Sequence, residues 1–334
     1  MVKIALTGIK PTGTPHIGNY LGMIKPALEL VQSYRTLYFI ADYHALTNER
    51  DPEKLNRQIY EVAAMWLALG LDPEKVVFFR QSDVPEVFEL TWILACLTSK
   101  GLLNRAHAYK VAVDENIRQG RSKDDNINAG LYNYPVLMAA DILLFETHVV
   151  PVGQDQKQHV EIVRDVASSF NSHYGKVFTI PEALIRKDVM SVPGVDGRKM
   201  SKTYRNTIPI FADDQVIRRQ VMGIITDSKP REAPKNPEAC NVFSLYQYFA
   251  PPEAVEETRS VYLKGGAKYS DIKKELIELL LERFKEGRWT YEVLLRDKPA
   301  IERILKQGAA AARSIAEPIM TKVRRKIGVD QTDL

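Results

Sequence analysis

Short apolar runs separated by amphipathic segments fill the first two hundred residues. Four of the runs are strand-like: Ile4–Leu6, Leu37–Ile40, Val76–Phe79 and Val149–Val152. Between the second and third runs, apolar residues from Leu55 to Leu69 recur at helical spacing. This alternation predicts an α/β fold with a Rossmann-like, doubly wound parallel sheet. In such a sheet, ligands bind at the carboxyl ends of the strands.

The pattern changes near Ile210, after which the sequence predicts helices alone. Helical periodicity covers the segments Asp213–Ile225, Val242–Phe249, Tyr269–Lys285 and Ala300–Ile327. We therefore expect a Rossmann-like catalytic domain at 1–208, with a helical connective segment at about 100–145, and an all-helical domain at 209–334. The polar segment Val113–Asn128 has no clear apolar face and is expected to be an exposed loop.

Composition excludes several classes of protein. The 46 basic and 42 acidic residues give a net charge of +4, which argues against nucleic-acid binding by charge alone but permits a local phosphate site. Two cysteines are too few for a disulfide framework, and the histidines lack metal-ligand spacing, so we expect no protein-bound metal. Without a membrane-length apolar stretch or a secretory signal, the chain is expected to be soluble, cytoplasmic and free of membrane contact.

A glycine-rich turn follows the first strand and opens a helix. It reads Thr-Gly-Ile-Lys-Pro-Thr-Gly-Thr-Pro-His-Ile-Gly-Asn from Thr7 to Asn19. Backbone N–H groups at a helix start attract phosphate, and glycines let a ligand approach the backbone. Neither the complete P-loop motif nor the three-glycine dinucleotide motif is present. His16 and Asn19 lie one helical turn apart, where both could contact one phosphate chain, although a plain helix cap is the alternative.

A second polar segment, Gly197–Thr203, carries the positive charge that the first turn lacks. Lys199 and Lys202 flank a Met-Ser pair close to the end of the strand–helix region. Such a lysine segment by itself is usually solvated surface. In a drier site, however, its charges would stabilise a polyphosphate much more strongly than in water. Together the two segments therefore indicate a site for a triphosphate.

The two segments resemble the HIGH and KMSKS signatures of class I aminoacyl-tRNA synthetases, here in the forms HIGN and KMSKT. The resemblance implies that His16, Asn19, Lys199 and Lys202 are catalytic and stabilise the ATP phosphates and the departing pyrophosphate. It further implies that these four and others form the ATP site: Lys10, Thr12, Gly18, Lys110, Gly153, Asp155, Met200 and Ser201. Lys10 is a departure, because many bacterial members have glutamine there.

The predicted helix Leu131–Phe145 carries Tyr134, Met138 and Asp141 on one face. A carboxylate on an apolar face needs a partner, either a ligand or another residue. The segment resembles the amino-acid-binding helix of tryptophanyl-tRNA synthetases, which implies that Asp141 accepts the indole N–H. The tyrosine-specific relatives have glutamine in place of methionine, so tryptophan is favoured. The residues thereby implied for tryptophan binding are Gly8, His44, Tyr134, Met138, Asp141 and Gln156.

As a whole the resemblance implies a tryptophan–tRNA ligase, which uses ATP with phosphate-bound Mg²⁺ to activate L-tryptophan and charges tRNA(Trp). It also implies a homodimer and anticodon binding by the helical region, assisted by basic residues: Arg218, Arg219, Lys322, Arg324 and Arg325. His159 is expected to be structural. Three alternatives stay open: a tyrosine-activating relative, a nucleotidylyltransferase that does not use tRNA, and a non-charging tRNA-binding paralogue.

Overall fold

A five-stranded parallel sheet forms the centre of the computed structural model, which describes residues 2–153, 156–185 and 192–330. Its strands are β1 (Ile4–Ile9), β2 (Arg35–Ile40), β3 (Val77–Arg80), β4 (Val149–Val152) and β5 (Glu182–Ile185). The order is β3-β2-β1-β4-β5, and all neighbours are parallel. The connections reverse direction between β1 and β4, which opens a crevice at their carboxyl ends. The prediction of a Rossmann-like sheet is confirmed, while β5 is an edge strand that the apolar pattern did not reveal.

Helices cover both faces of the sheet and make up the second half of the chain. Those in the strand region are α1 (Ile17–Asn19), α2 (Lys25–Leu30), α3 (Asp42–Ala45), α4 (Pro52–Ala68), α5 (Glu86–Ala95), α6 (Lys100–Leu103), α7 (His107–Arg118), α8 (Ala129–Leu143) and α9 (Lys157–Tyr174). After them come α10 (Asp214–Met222), α11 (Asn241–Tyr246), α12 (Pro252–Lys264), α13 (Tyr269–Arg283), α14 (Lys285–Arg296) and α15 (Lys298–Ile327). None of the helices in the described part of the chain could span a membrane.

The expectation of an exposed loop at Val113–Asn128 is wrong for its first third. Helix α7 continues to Arg118 and buries Val113 and Asn116. The sequence concealed this helix because one of its buried positions is polar. The Asn116 amide donates to the carbonyl oxygens of Lys123 and Asp125, at 3.1 and 2.7 Å. A buried amide therefore ties the exposed turn that follows back to α7.

Helix α15 lies directly against the sheet. It contributes Ile301 and Leu305 to the apolar cluster on one side of the sheet, and Ala312 and Met320 to the cluster on the other. A Cβ atom added at Gly308 would stand 1.8 Å from the carbonyl oxygen of Phe78 in β3, so only glycine allows this approach. The last helix thus covers the β3 edge of the sheet. The domain boundary between 208 and 209 stays a prediction.

The first test concerns this contact. We expect Gly308→Ala to lower the free energy of unfolding by about 1–3 kcal/mol, because α15 must move away from β3 to admit the methyl group. Urea denaturation followed by circular dichroism measures the change. Gly101→Ala in α6 is the control, since the nearest atom to an added Cβ there is 4.0 Å away. Equal denaturation midpoints for Gly308→Ala and the wild type would contradict the packing argument.

Candidate active site

A cleft of about 1410 Å³ opens at the carboxyl ends of the central strands. It is lined by nearly all of the sequence-predicted site residues: Gly8, Lys10, Thr12, His16, Gly18, Asn19, His44, Tyr134, Met138, Asp141, Gly153, Gln156, Lys199, Met200, Ser201 and Lys202. Lys110 is different, because it lies on the exposed surface of α7 while its neighbour Ala108 lines the cleft. Asp155 is outside the described residues.

The two motifs meet through a short antiparallel pairing of the backbone. The Ile17 N–H donates to the Ile208 carbonyl at 3.0 Å, and the Ile210 N–H donates to the Pro15 carbonyl at 3.2 Å. The side chains of Ile17, Ile208 and Ile210 are buried. The chain that leaves the segment Gly197–Thr203, here called the lysine loop, is therefore attached to the glycine-rich turn, although about 190 residues separate them in sequence.

The start of α1 is also in contact with the lysine loop. The Asn19 side-chain oxygen accepts the backbone N–H of His16 at 3.2 Å, which is half of a capping box. The Gly18 N–H points to the sulfur of Met200 at 3.2 Å. A Cβ atom at Gly18 would lie only 3.0 Å from the His16 ring and 3.3 Å from Met200. Glycine at this position allows the buried methionine to approach the helix start.

His16 is uncharged at neutral pH. Burial, together with the positive charge of Lys202, lowers the pKa of the imidazole to about 4. The ring lines the cleft and is 6% exposed, and its Nδ1 has no hydrogen-bond partner in the described part of the chain. Leaving a buried polar atom unpaired costs free energy. A neutral imidazole in this position is suited to hydrogen-bonding a ligand that enters the cleft.

The lysine loop is held by a buried amide that sequence reasoning missed. Asn206 accepts the Ser201 N–H at 2.7 Å and donates to the Lys199 carbonyl at 3.1 Å and to Asp196 Oδ1 at 2.6 Å. A Cβ atom at Gly194 would lie 2.3 Å from the Asn206 amide nitrogen. The loop therefore folds around Asn206. No periodicity or spacing in the sequence marks this residue, because its partners are two backbone groups and one side chain of an irregular segment.

Lys202 reaches from this loop to the glycine-rich turn, where its ammonium group donates to the Thr12 carbonyl oxygen. Partial burial lowers the pKa of Lys202, and the negative charge of Glu61 on α4 acts in the opposite direction. The ammonium group thus lies between the two motifs, where a polyphosphate would meet it.

The opposite end of the cleft contains a buried carboxylate. Asp141 on α8 is 2% exposed, and its Oδ2 lies 2.8 Å from His44 Nε2. The Gln81 amide nitrogen donates to both carboxylate oxygens, at 2.7 and 2.9 Å. Burial raises the pKa of Asp141, and the hydrogen bonds from His44 and Gln81 oppose that shift. The sequence did not determine the partner of the Asp141 carboxylate. The structure supplies two partners from within the chain, His44 after β2 and Gln81 after β3.

A second polar chain lies beside this carboxylate. The Tyr134 hydroxyl is 2.6 Å from His159 Nε2, and His159 Nδ1 is 2.6 Å from the Gln156 side-chain oxygen. Burial raises the pKa of Tyr134. His159, expected to be structural, links two residues that the resemblance implies for tryptophan binding. It also lines the cleft itself.

Lys10 extends across the floor of the cleft. Its ammonium group donates to the Thr47 hydroxyl at 2.9 Å, and that hydroxyl donates to the His44 carbonyl at 2.8 Å. Burial lowers the pKa of Lys10. The lysine that departs from the family pattern therefore joins the end of β1 to the turn that follows β2.

The cleft thus has two chemically distinct ends. One presents a neutral imidazole, a helix start and lysine ammonium groups, a combination that binds phosphate. The other presents a carboxylate, a tyrosine hydroxyl and the thioether of Met138, which suits a ring that carries an N–H group. This geometry can bring a nucleoside triphosphate and an aromatic amino acid into contact.

Comparison with known proteins agrees with this arrangement. Residues 3–285 match the family model described as tRNA synthetases class I (W and Y). The chain belongs to this family of class I tRNA synthetases. A tryptophan–tRNA ligase from Pseudomonas aeruginosa is 48% identical over 336 residues, which cover 98% of this chain and 74% of that relative. The resemblance drawn from the HIGN and KMSKT motifs is confirmed.

Solved structures of class I synthetases show the same fold. The tryptophanyl-tRNA synthetase of Campylobacter jejuni, complexed with ADP and tryptophan, has a TM-score of 0.88 and 46% identity, with 97% of this chain and 99% of that chain covered. A tyrosyl-tRNA synthetase from Archaeoglobus fulgidus has a TM-score of 0.65 at 17% identity, covering 86% of this chain and 90% of that chain. At this low identity, the similarity to the tyrosyl-tRNA synthetase shows a shared fold and nothing further.

The second test concerns Asn206. We expect Asn206→Ala to increase the rate of tryptic cleavage after Arg198, Lys199 or Lys202 by about 10- to 100-fold, because the loss of three hydrogen bonds favours opening of the loop. Mass spectrometry of timed digests measures the rate at each bond.

Asn171→Ala is the matched control for that test. Asn171 is a half-buried amide that also makes three hydrogen bonds, but its partners are backbone groups of residues 177 and 178, away from the cleft. Equal cleavage of the lysine loop in the two variants would contradict a specific role for Asn206.

Proposed function

We propose that the chain is a tryptophan–tRNA ligase. The tryptophan carboxylate attacks the α-phosphorus of ATP, the bond from that phosphorus to the bridging oxygen breaks, and pyrophosphate leaves. A hydroxyl of the terminal tRNA(Trp) adenosine then attacks the carbonyl of tryptophanyl-adenylate, and AMP leaves. The observation that carries this proposal is one cleft with phosphate-binding groups at one end and the His44–Asp141–Gln81 cluster at the other. The 48% identity to a named tryptophan–tRNA ligase supports it.

In this proposal the phosphate end of the cleft does the catalytic work. His16 donates a hydrogen bond from its neutral ring, Asn19 holds the helix start, and Lys199 and Lys202 offset the charge that develops on the leaving pyrophosphate. The remaining predicted ATP contacts, without the outward-facing Lys110, bind the nucleotide: Lys10, Thr12, Gly18, Gly153, Asp155, Met200 and Ser201. The protein contributes charge and position, and no side chain forms a covalent intermediate.

Mg²⁺ is the metal that we propose for this reaction, and when bound it neutralises phosphate charge. Across residues 2–153, 156–185 and 192–330, no group of three or more His, Cys, Asp or Glu side chains is arranged to hold a metal ion. In this proposal the Mg²⁺ ion is carried by the ATP oxygens.

The opposite end of the cleft selects the amino acid. Asp141 accepts the indole N–H, Met138 packs on the ring, and Tyr134 and Gln156 meet the α-ammonium group. Gly8 and His44 complete the pocket. Glycine is needed at position 8, because a Cβ atom there would lie 2.4 Å from the Phe39 ring. A site that hydrogen-bonds a substrate group rejects analogues without that group by roughly 10⁴- to 10⁵-fold.

The helical region would bind the tRNA anticodon. Arg324 is paired with Glu89 and Glu317, and Arg218 is paired with Glu278. Among the described residues, the remaining three of the five basic candidates form no ion pair: Arg219, Lys322 and Arg325. These three are the residues that we propose for tRNA contact. The reaction serves translation, so we place the protein in the cytoplasm.

A homodimer is part of the proposal. Phe88 and Trp92 on α5 are 46% and 73% exposed, and Val111 and Ile117 on α7 are also exposed. Both helices pack against α8, which carries Asp141. An exposed apolar surface of this kind is typical of a protein–protein interface.

The third test is ATP–pyrophosphate exchange with tryptophan, tyrosine and phenylalanine. We expect exchange with tryptophan, and a loss of roughly 10²- to 10³-fold in Lys199→Ala, the effect of removing one group that stabilises developing charge. Lys264→Ala at the end of α12 is the control. Faster exchange with tyrosine would favour the tyrosine-activating alternative, and tRNA binding without exchange would favour the non-charging paralogue.

The fourth test concerns the dimer. We expect Trp92→Glu to halve the mass measured by light scattering at micromolar concentration, because a charge in an apolar interface opposes association. The control is Trp289→Glu, since Trp289 on α14 is 69% exposed and thus nearly matched in exposure. If Trp92→Glu keeps the mass of the wild type, this surface is not the interface.

A further inference from the structure

Gln81 is a buried amide that does not line the cleft. It follows β3 directly, in a 3₁₀ turn at Gln81–Asp83, and its exposed fraction is 0%. Its amide nitrogen donates to Asp141 Oδ1 at 2.7 Å and Oδ2 at 2.9 Å, and its amide oxygen accepts the Tyr43 N–H at 3.2 Å. Because a backbone N–H occupies the oxygen, the amide nitrogen must face Asp141. The orientation of this side chain is thus determined at both ends.

The turns that follow β2 and β3 are held together by another buried acid. Asp42 Oδ1 accepts the N–H of Tyr43 at 3.0 Å and the N–H of Ser82 at 3.1 Å. Burial raises the pKa of Asp42, and the hydrogen bonds to Ser82 and Tyr43 oppose that rise. His44 and Gln81 belong to these two turns. The hydrogen bonds of Asp42 therefore fix the positions of His44 and Gln81 relative to each other, and both side chains contact Asp141.

The carboxylate of Asp141 is nearly saturated by these neighbours. An ionised carboxylate offers about four acceptor positions. Gln81 makes two contacts with it and His44 makes one. One acceptor position of the carboxylate remains, and Asp141 lines the cleft. Without Gln81, a carboxylate buried to this degree would rotate or become protonated, since an unpaired buried charge is costly.

We infer that Gln81 is a positioning residue for recognition of the indole N–H, an inference that rests on the proposed function. Gln81 holds the Asp141 carboxylate in one orientation, so that its remaining acceptor position is directed to the substrate. Gln81 acts through Asp141 and does not touch the amino acid. Its contribution should therefore depend on whether the substrate carries an N–H group.

The experiment compares tryptophan with L-3-(benzothiophen-3-yl)alanine, in which sulfur replaces the indole N–H. Dissociation constants of both are measured by calorimetry, together with kcat and KM for tryptophan in ATP–pyrophosphate exchange. In Gln81→Met we expect tryptophan binding to weaken by about 10- to 100-fold, mainly as an increase in KM, while binding of the sulfur analogue changes by less than about 3-fold.

Two further variants separate positioning from folding. Gln81→Asn keeps an uncharged amide that is one methylene shorter and so no longer reaches the Asp141 carboxylate, and we expect it to fold and to show the same selective loss. Asn171→Leu removes an amide away from the cleft and should change neither amino acid's binding, even if it lowers the melting temperature.

The outcomes are distinguishable. Equal weakening of both amino acids in the Gln81 variants, or no weakening, would overturn the inference while leaving wild-type activity with tryptophan intact. Absence of tryptophan-dependent exchange in the wild type would overturn the proposed function and the inference together. A selective loss for tryptophan in both variants supports the inference.

Discussion

The site depends on the backbone pairing between residues 15–17 and 208–210. Two hydrogen bonds and three buried isoleucines attach the lysine loop to the glycine-rich turn. Without this pairing, the positive charges of the loop would lie in solvent, where they interact weakly with phosphate. With it, Met200 reaches the start of α1 and Lys202 reaches the Thr12 carbonyl. A small amount of sheet-like structure between distant segments thus forms the phosphate end of the cleft.

Burial then gives the two ends of the cleft different chemistry. At the phosphate end, burial keeps His16 neutral, so it can hydrogen-bond an anion without trapping the product as a fixed charge would. At the amino-acid end, burial opposes ionisation of Asp141, and the chain compensates with the donors of Gln81 and His44. Both effects follow from the cost of charge in a medium of low dielectric constant. In the proposed function, recognition and catalysis therefore depend on the residues around the contacting groups as well as on those groups.

The second half of the chain stabilises the sheet that carries this cleft. Helix α15 covers β3, where Gly308 allows contact with the Phe78 carbonyl. Arg80 at the end of β3 pairs with Glu302 on α15 at 2.9 Å, and the turn that contains Gln81 begins at the next residue. The helix proposed to take part in tRNA contact therefore packs on the strand that leads into the amino-acid site. The proposed tRNA contact and the proposed amino-acid site are therefore joined by direct packing of α15 on β3.

The sequence by itself determined the sheet type, the helical second half and a set of candidate site residues, nearly all of which line the cleft. The sheet and the helices could be predicted because the spacing of apolar residues reflects local secondary structure. The site residues could be predicted because the HIGN and KMSKT motifs resemble those of a specific family. The sequence did not reveal β5, a four-residue edge strand whose side chains are exposed or half-buried, or the continuation of α7, whose buried face includes Asn116.

Only the tertiary structure decided the partners of the polar side chains. Gln81, Asn206 and His159 act through contacts with residues remote in sequence or with irregular backbone, and no spacing encodes such contacts. The same holds for Lys110, which shares a helix with a cleft residue but faces outward. Hydrophobic patterns specify which elements form, whereas hydrogen-bond partners are set by how those elements pack.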